Sequence, residues 1–316
     1  MNILVTGGCG YKGTVLVPKL LNDGHHVTVV DLMWFGNYLE SNSNLKIKRL
    51  DVREIDKIQL DNIDVIIHLA SVANDPCAEL DARLSWEISC LSTMQLASKA
   101  SVNGVKQFIY ASSGSVYGVK QEKQVTEELT PVPISEYNKA KMVAERVLLS
   151  YAPQMAIQII RPATVCGLSP RMRLDVSVNM LTMQAINKGE ITVFGGDQTR
   201  PNIHIQDITD IYLHMLKNPN LVGIFNAGFE NLSISTIADL AAENSEAKIK
   251  TLASNDPRSY RINSDKLLKT GFNPRKNVGD AIAELKLAFK ENKLQDKEEF
   301  YNLKWMTKTI FKTSQS

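Results

Sequence analysis

The chain has 316 residues, of which 44% are hydrophobic and 22% charged, with a formal net charge of +2. This composition is ordinary for a globular protein, and so small a net charge argues against a nucleic acid or a membrane surface as partner. The longest apolar runs have strand length, well short of the roughly 20 residues of a membrane span. Because a strand begins at Asn2 with no basic or apolar leader before it, we expect a cytoplasmic protein.

The first half of the chain alternates β-branched runs with helical stretches. Strands are predicted at 3–6, 26–31, 45–50, 65–70, 107–112 and 157–161, and helices at 13–22, 84–101 and 135–151. Several strands are apolar at consecutive positions, as buried parallel strands are. This rhythm predicts an α/β fold with a doubly wound parallel (Rossmann) sheet, whose ligands bind beyond the carboxyl ends of the strands. We assign residues 1–167 to this dinucleotide-binding domain.

After about residue 170 the predicted strands and helices alternate less regularly. Helices are predicted at 176–188, 207–216, 233–243 and 280–290, with strands at 191–194 and 223–227. We interpret 168–290 as a smaller mixed α/β substrate-binding domain, with segments near 195–230 returning to the first domain. The tail, 291–316, is charged and then aromatic, and we expect it to follow the last ordered element and to pack on the body or on a partner subunit.

Three glycines follow the first predicted strand at a spacing of three residues: Gly7, Gly10 and Gly13. Small residues let the backbone approach a pyrophosphate, and the helix that follows directs its free N–H groups at the phosphates. Within this turn, Tyr11 and Lys12 are further candidates for contact with the cofactor. The pattern predicts a dinucleotide site.

Asp31 ends the second predicted strand and indicates which dinucleotide binds. A carboxylate there accepts hydrogen bonds from the adenine-ribose hydroxyls and repels a 2′-phosphate, which favours NAD over NADP. At the end of the third strand, Asp51 and Val52 are candidates for contact with the adenine, although a solvated turn explains Asp51 nearly as well.

Tyr137 and Lys141 are four residues apart on a predicted helix and therefore share a face. A phenol near a fixed cation ionises more easily. Lowering its pKa from about 10 towards 7 takes roughly 4 kcal/mol, which Lys141 and the positive charge of an oxidised nicotinamide could supply together. The phenolate would then take a proton from a sugar or alcohol hydroxyl.

The four cysteines show neither paired metal-ligand spacing nor a C-x-x-C motif. We therefore interpret them as reduced thiols and predict no metal site.

Five segments together resemble the extended short-chain dehydrogenase/reductase family, the NAD-dependent nucleotide-sugar epimerases and dehydratases. They are the turn 6–13, the segments 68–71, 111–118 and 161–167, and the Tyr137–Lys141 pair, and the similarity extends to about residue 288. The resemblance implies that Ser113 bonds the reacting oxygen, that Tyr137 is the acid/base and that Lys141 holds the nicotinamide ribose. It also implies that Leu69, Ala70 and Ser71 contact the cofactor.

The same resemblance implies contacts with the diphosphate of a nucleotide sugar, made by Asn179, Arg200 and Arg258. Arginine is well suited to this duty because its forked donors match phosphate oxygens. The sequence departs from the family pattern at four positions: Lys12 replaces an apolar residue, Ser89 and Thr164 replace asparagines, and Cys166 replaces a tyrosine.

The residues beside Ser113 limit which of the family's reactions this chain is expected to catalyse. Family 4,6-dehydratases carry an acidic pair where this chain has Gly114 and Ser115, and the 176–188 helix lacks the histidine of enzymes that epimerise C3 and C5. The pattern favours chemistry at C4 alone, most of all a sugar-nucleotide 4-epimerase. The alternative is a 4-dehydrogenase or 4-ketoreductase with net oxidation or reduction, because residues 169–175 resemble those of bacterial GDP-heptose 4-dehydrogenases. A 4,6-dehydratase and a non-catalytic NAD-binding protein are less expected.

Family members usually form homodimers through the two long helices beside the sheet, here predicted at 84–101 and 135–151. Candidate contacts are Met94, Leu96, Ala97, Met142, Val143 and Val147. The same residues could equally belong to the core.

Overall fold

A computed structural model describes residues 1–254 and 259–311. Its strands are β1 (Asn2–Thr6), β2 (His26–Asp31), β3 (Leu45–Arg49), β4 (Val65–His68), β5 (Gln107–Ala111), β6 (Ala156–Pro162), β7 (Thr164–Cys166), β8 (Glu190–Phe194), β9 (Thr199–His204), β10 (Gly223–Ala227), β11 (Glu230–Ser233) and β12 (Lys248–Leu252). Its helices are α1 (Gly13–Asn22), α2 (Asp75–Leu80), α3 (Ala82–Trp86), α4 (Ser92–Val102), α5 (Glu136–Leu149), α6 (Ser177–Lys188), α7 (Ile205–Lys217), α8 (Ile234–Ala242), α9 (Asp265–Leu268), α10 (Val278–Lys290) and α11 (Asn302–Thr309).

Seven strands form one parallel sheet in the order β10-β6-β5-β4-β1-β2-β3. Successive residues of β1 alternate between its faces, so that Ile3 and Val5 enter one apolar cluster and Leu4 enters the other. Helices α1 and α7 cover the first face, and α4 and α5 cover the second. This is the doubly wound α/β sheet that the sequence predicts, and it gathers the carboxyl ends of its strands at one edge.

The helix predicted at 84–101 is interrupted. Residues Glu87–Leu91 form a π-helical turn between α3 and α4. The Ser92 hydroxyl donates to the Ile88 carbonyl oxygen at 2.5 Å and that of Thr93 to Ser89 at 3.1 Å, back-bonding that bends helices. Such turns often occur at functional sites.

Part of the predicted dimer face lies inside the molecule. Leu96 and Ala97 are fully buried beneath the sheet, so the core interpretation is correct for these two, whereas Met94 is exposed. A dimer through α4 and α5 stays a prediction.

The second half of the chain contributes two small sheets. Strand β9 pairs with β7 in parallel and with β11 antiparallel, and β8 pairs in parallel with β12. A separate apolar cluster joins α6, α8 and α10 to β8. The chain also re-enters the large sheet, because β10 pairs with β6 and α7 packs on α1.

The expectation that ordered structure ends at residue 290 is wrong. The tail forms α11, whose inward face carries Asn302 and Met306, both buried, while Leu303 and Thr307 are exposed. The spacing of the buried positions is that of an amphipathic helix. Of the two alternatives for the tail, the described residues pack on the body of the chain. No helix in the described ranges is long and apolar enough to cross a membrane.

Candidate active site

A cavity of about 520 Å³ opens at the carboxyl edge of the large sheet. Most of the residues predicted to bind ligands line it: Gly7, Gly10, Tyr11, Lys12, Asp31, Val52, Leu69, Ala70, Ser71, Ser113, Tyr137 and Arg200. Asp51, Lys141 and Asn179 lie outside its lining, and Arg258 lies outside the described residues. Residues that are far apart in the sequence therefore meet around one space.

The glycine turn is too tight for any side chain at two positions. Gly7 has a positive φ of 71°, and a Cβ there would lie 2.6 Å from the backbone nitrogen of Ala70. A Cβ on Gly13 would lie 2.3 Å from the carbonyl oxygen of Gly8. The backbone at the start of α1 therefore stays open to a ligand, and this cradle fits a pyrophosphate.

Asp31 reaches the cavity with both carboxylate oxygens held by backbone donors. Cys9 N donates to it at 2.9 Å and Met33 N at 2.7 Å. Burial raises the pKa of Asp31, and these donors oppose the rise. The carboxylate is thus fixed where a ribose would approach.

Asp51 faces a different part of the surface. Its carboxylate pairs with Arg53 at 2.7 Å, and Arg53 also reaches Glu87 at 2.8 Å, around a second, shallow cavity. Val52 alone of the predicted adenine contacts enters the main cavity. A contact between Asp51 and adenine stays a prediction.

The α5 helix presents Tyr137 in its first turn. Ser135 caps the helix by accepting a hydrogen bond from Asn138 N at 3.2 Å. The Ser113 and Ser115 hydroxyls lie 2.6 Å apart, and Ser115 donates to the side chain of Asn138. A chain of hydroxyls therefore orients Ser113 beside Tyr137.

Lys141 donates to the backbone at the end of β5. Its Nζ donates to the Ala111 carbonyl oxygen at 2.7 Å and lies 4.8 Å from the ring centroid of Tyr110. Burial, and then the like charge of Lys12, lower the pKa of Lys141 to about 7.

The groups of the protein do not by themselves acidify the phenol. Burial, and then the charge of Asp75, raise the pKa of Tyr137 to about 12, while Ser113 and Arg173 act in the opposite direction. The lowering towards 7 that the sequence predicts is therefore not a property of the chain alone.

Cationic side chains line the cavity beside the glycine turn. Lys12 Nζ lies 3.5 Å from the Tyr212 hydroxyl, and burial and Arg173 lower the pKa of Lys12 to about 8. Arg173 pairs with Asp175 through two contacts, at 2.9 and 3.0 Å. Such clustered positive charge fits anionic ligands.

The structure places the predicted substrate-binding residues in different surroundings. Arg200 lies in the cavity wall. Asn179 is fully buried behind it, where its amide bonds Gly167 N at 3.0 Å, the Tyr11 hydroxyl at 3.1 Å and the Arg173 carbonyl oxygen at 2.8 Å. Asn179 thus ties the glycine turn to the loop before α6, and its direct contact with a substrate stays a prediction.

Among the wall residues that sequence reasoning did not assign to the site are Asp75, Arg171 and Asn302. Asp75 follows the end of β4 at the start of α2, where it accepts a hydrogen bond from the Ser135 hydroxyl. Its place after a strand end was a signal that could have found it. Asn302 had no such signal.

The cysteines form no disulfides, and burial raises the pKa of Cys9 to about 12. The described residues contain no group of His, Cys, Asp or Glu side chains that could hold a metal ion.

Comparison with protein families gives one match, to the family described as NAD dependent epimerase/dehydratase, over residues 3–228. The putative UDP-arabinose 4-epimerase 2 of Arabidopsis thaliana is 28% identical in an alignment of length 264, and the match covers 72% of this chain and 63% of that protein. The UDP-glucuronic acid decarboxylase 1 of Xenopus tropicalis is 30% identical in an alignment of length 239, and the match covers 72% of this chain and 56% of that protein. The match thus spans less than two thirds of either relative.

Solved structures show the same fold. The UDP-glucose 4-epimerase of Thermotoga maritima, solved with UDP-glucose, has a TM-score of 0.83 and 24% identity, and covers 93% of this chain and 100% of its own. The UDP-N-acetylglucosamine 4-epimerase of Methanobrevibacter ruminantium has a TM-score of 0.85 and 22% identity, and covers 92% of this chain and 98% of its own.

Proposed function

The chain belongs to the NAD dependent epimerase/dehydratase family, and we propose that it is an NAD-dependent nucleotide-sugar 4-epimerase. One observation carries the proposal. Ser113 and Tyr137 line the same cavity, while Gly114 and Ser115 beside them offer no carboxylate. Asp75 in the same wall accepts a hydrogen bond from the Ser135 hydroxyl, which leaves Tyr137 as the proton-transfer residue beside Ser113. One such residue at the reacting oxygen suits oxidation and reduction at one carbon.

When bound, NAD would accept a hydride from the sugar and return it. The chain would hold NAD through the backbone of the turn from Gly7 to Gly13 and through Asp31 at the adenine ribose. Lys141 would hold the nicotinamide ribose. The tight turn, the fixed carboxylate and the cationic wall support this assignment.

Tyr137 would take the proton of the C4 hydroxyl while Ser113 orients the reacting oxygen. Bringing its pKa from about 12 to near 7 needs roughly 7 kcal/mol. Lys141, whose Nζ donates to the Ala111 carbonyl oxygen, is not among the groups that lower this pKa. The positive charge of an oxidised nicotinamide would therefore supply the larger share.

We propose a nucleotide-diphosphate sugar as substrate. Arg200 in the wall, and Arg258 outside the described residues, would bind the diphosphate, and Arg173 adds positive charge to the same cavity. The relatives described above are named for UDP-sugars.

Net oxidation or reduction at C4 is the second candidate. It is favoured by residues 169–175, which resemble the corresponding segment of GDP-heptose 4-dehydrogenases and of which Arg171, Arg173 and Asp175 line the cavity. A panel of nucleotide sugars separates the two. An interconverted sugar without net change of cofactor supports the 4-epimerase. Formation of reduced nicotinamide in step with substrate loss supports the 4-dehydrogenase, and a product that has lost water contradicts both.

The mechanism is tested by Tyr137→Phe. We expect this variant to retain NAD while kcat falls about 10²- to 10⁴-fold, the usual contribution of a general acid/base. Tyr151→Phe, beyond the far end of α5, is the matched control and should keep full activity. An active Tyr137→Phe variant would show that the proton goes elsewhere.

A further inference from the structure

Arg171 is a buried cation with an unused donor. The residue is 2% exposed. Its Nη2 donates to Asn302 Oδ1 at 2.6 Å and its Nη1 to the Met172 carbonyl oxygen at 3.1 Å. Its Nε has no hydrogen-bond partner among the described residues. This nitrogen is itself closed off within the protein. A buried charged donor without an acceptor is costly, so the described residues compensate the charge of Arg171 only in part.

The same side chain borders the cofactor cavity. Its guanidinium carbon lies 4.0 Å from the ring centroid of Phe35, which follows Asp31 by four residues. The charge of Arg171 also favours the ionised form of Asp31. Arg171 is therefore at the end of the cavity assigned to the adenine ribose.

The electrostatics indicate that this place suits an electronegative group. Burial, and then the like charge of Arg173, lower the pKa of Arg171 to about 9. An oxygen acceptor close to the guanidinium would oppose both effects.

The C-terminal helix α11 fastens Arg171 in place. Asn302 N donates to Asp175 Oδ2 at 3.1 Å, and Trp305 Nε1 donates to the Trp34 carbonyl oxygen at 2.7 Å. Met306 enters the apolar cluster beneath the sheet. Asn302 and Trp34 both line the cavity, so α11 closes the adenosine end.

We propose that Arg171, positioned by Asn302, is a further cofactor-binding residue whose positive charge stabilises the adenylate half of the dinucleotide, and that α11 thereby slows release of the cofactor. The inference rests on the proposed function. An epimerase uses one cofactor molecule in both half-reactions and gains from retaining it, whereas a dehydrogenase must exchange it.

Dissociation of the cofactor tests the proposal without any sugar. We expect Asn302→Ala to release NAD about ten- to a hundredfold faster than the unaltered protein, the usual worth of a hydrogen bond to a charged group. ADP-ribose, which shares the adenylate half and lacks nicotinamide, should be released faster by the same factor. Thr307→Ala, on the exposed side of α11, is the matched control and should change neither rate.

Unchanged rates in a folded Asn302→Ala variant would overturn the proposal. An effect on NAD without one on ADP-ribose would overturn it too, because the contact would then lie at the nicotinamide half. Should Asn302→Ala not fold, Trp305→Phe carries the test, since it removes the bond to Trp34 and keeps an aromatic ring. If the unaltered protein binds no NAD, the proposed function fails; if it binds NAD and the variants release it no faster, only this inference fails.

Discussion

Lys12 provides a test of the cofactor site through pH. Its ammonium borders the cavity with a pKa near 8, lowered by burial and Arg173. A pyrophosphate nearby would favour the ammonium and raise this pKa. Binding of NAD would then take up a proton whenever the pH lies between the two values.

The size of the effect follows from the pKa of about 8. At about pH 7 the free protein carries the proton already, and at about pH 9 only about one molecule in ten does, so the Kd for NAD should rise about tenfold, or about 1.4 kcal/mol. Affinity for NAD should fall as the pH rises, because the Lys12 ammonium loses its proton. Lys12→Met should flatten this dependence. The same variant should raise the pKa of Lys141, since Lys12 lowers it.

Titration calorimetry of NAD binding at several pH values, in buffers with different ionisation enthalpies, measures both the Kd and the proton uptake. Lys46→Met, on an exposed position of β3, is the matched control and should keep the slope of the unaltered protein. A flat Kd in the unaltered protein, or the same slope in Lys12→Met, would refute the placement of this ammonium at the pyrophosphate.

Two further predictions concern Asp31 and the buried pair beneath the site. Asp31→Ala should shift the ratio of NADP to NAD affinity towards NADP by about tenfold or more, the worth of a charge-assisted hydrogen bond; equal shifts in the two Kd values would show that Asp31 does not bind the ribose. Arg161 and Glu145 pair at 2.6 Å with both side chains 1% exposed, so Arg161→Met should lower the free energy of unfolding by about 3–5 kcal/mol because a buried charge is left uncompensated. Urea unfolding measures the loss of unfolding free energy. The double variant with Glu145→Gln should recover part of that loss. A loss below about 1 kcal/mol would contradict the argument that an uncompensated buried charge is costly.

The sequence was sufficient for the parts of the fold in which local pattern and burial agree. The strand predicted at 223–227 ends at the same residues in the structure, and the helix predicted at 13–22 does so too. Consecutive apolar residues that end at turn glycines leave a buried strand little freedom in its bounds. The polar strand β9, Thr199–His204, was missed because it has no alternation of polar and apolar residues.

The candidate site was predictable where a motif is local and hidden where contacts are distant. The glycine turn and Tyr137 each lie in a short segment whose residue types and spacing indicate its chemistry. Arg171 and Asn302 are separated by 131 residues, and no pattern in either segment indicates the other. Lys141 marks a further limit, because its position on the helix was predictable whereas its bond to Ala111 depends on how α5 packs on the sheet.

The pairing of β10 with β6 matters for anyone who builds chimeras from this family. The last strand of the large sheet comes from Gly223–Ala227, after the chain has already supplied β7, α6, β8 and β9. If the chain were cut only after residue 167, β6 would lose its neighbour β10 and become an edge strand. The exposed backbone of such an edge favours aggregation. Exchange of the substrate-binding parts between relatives therefore requires junctions on both sides of the returning α7 and β10, in addition to the one after residue 167.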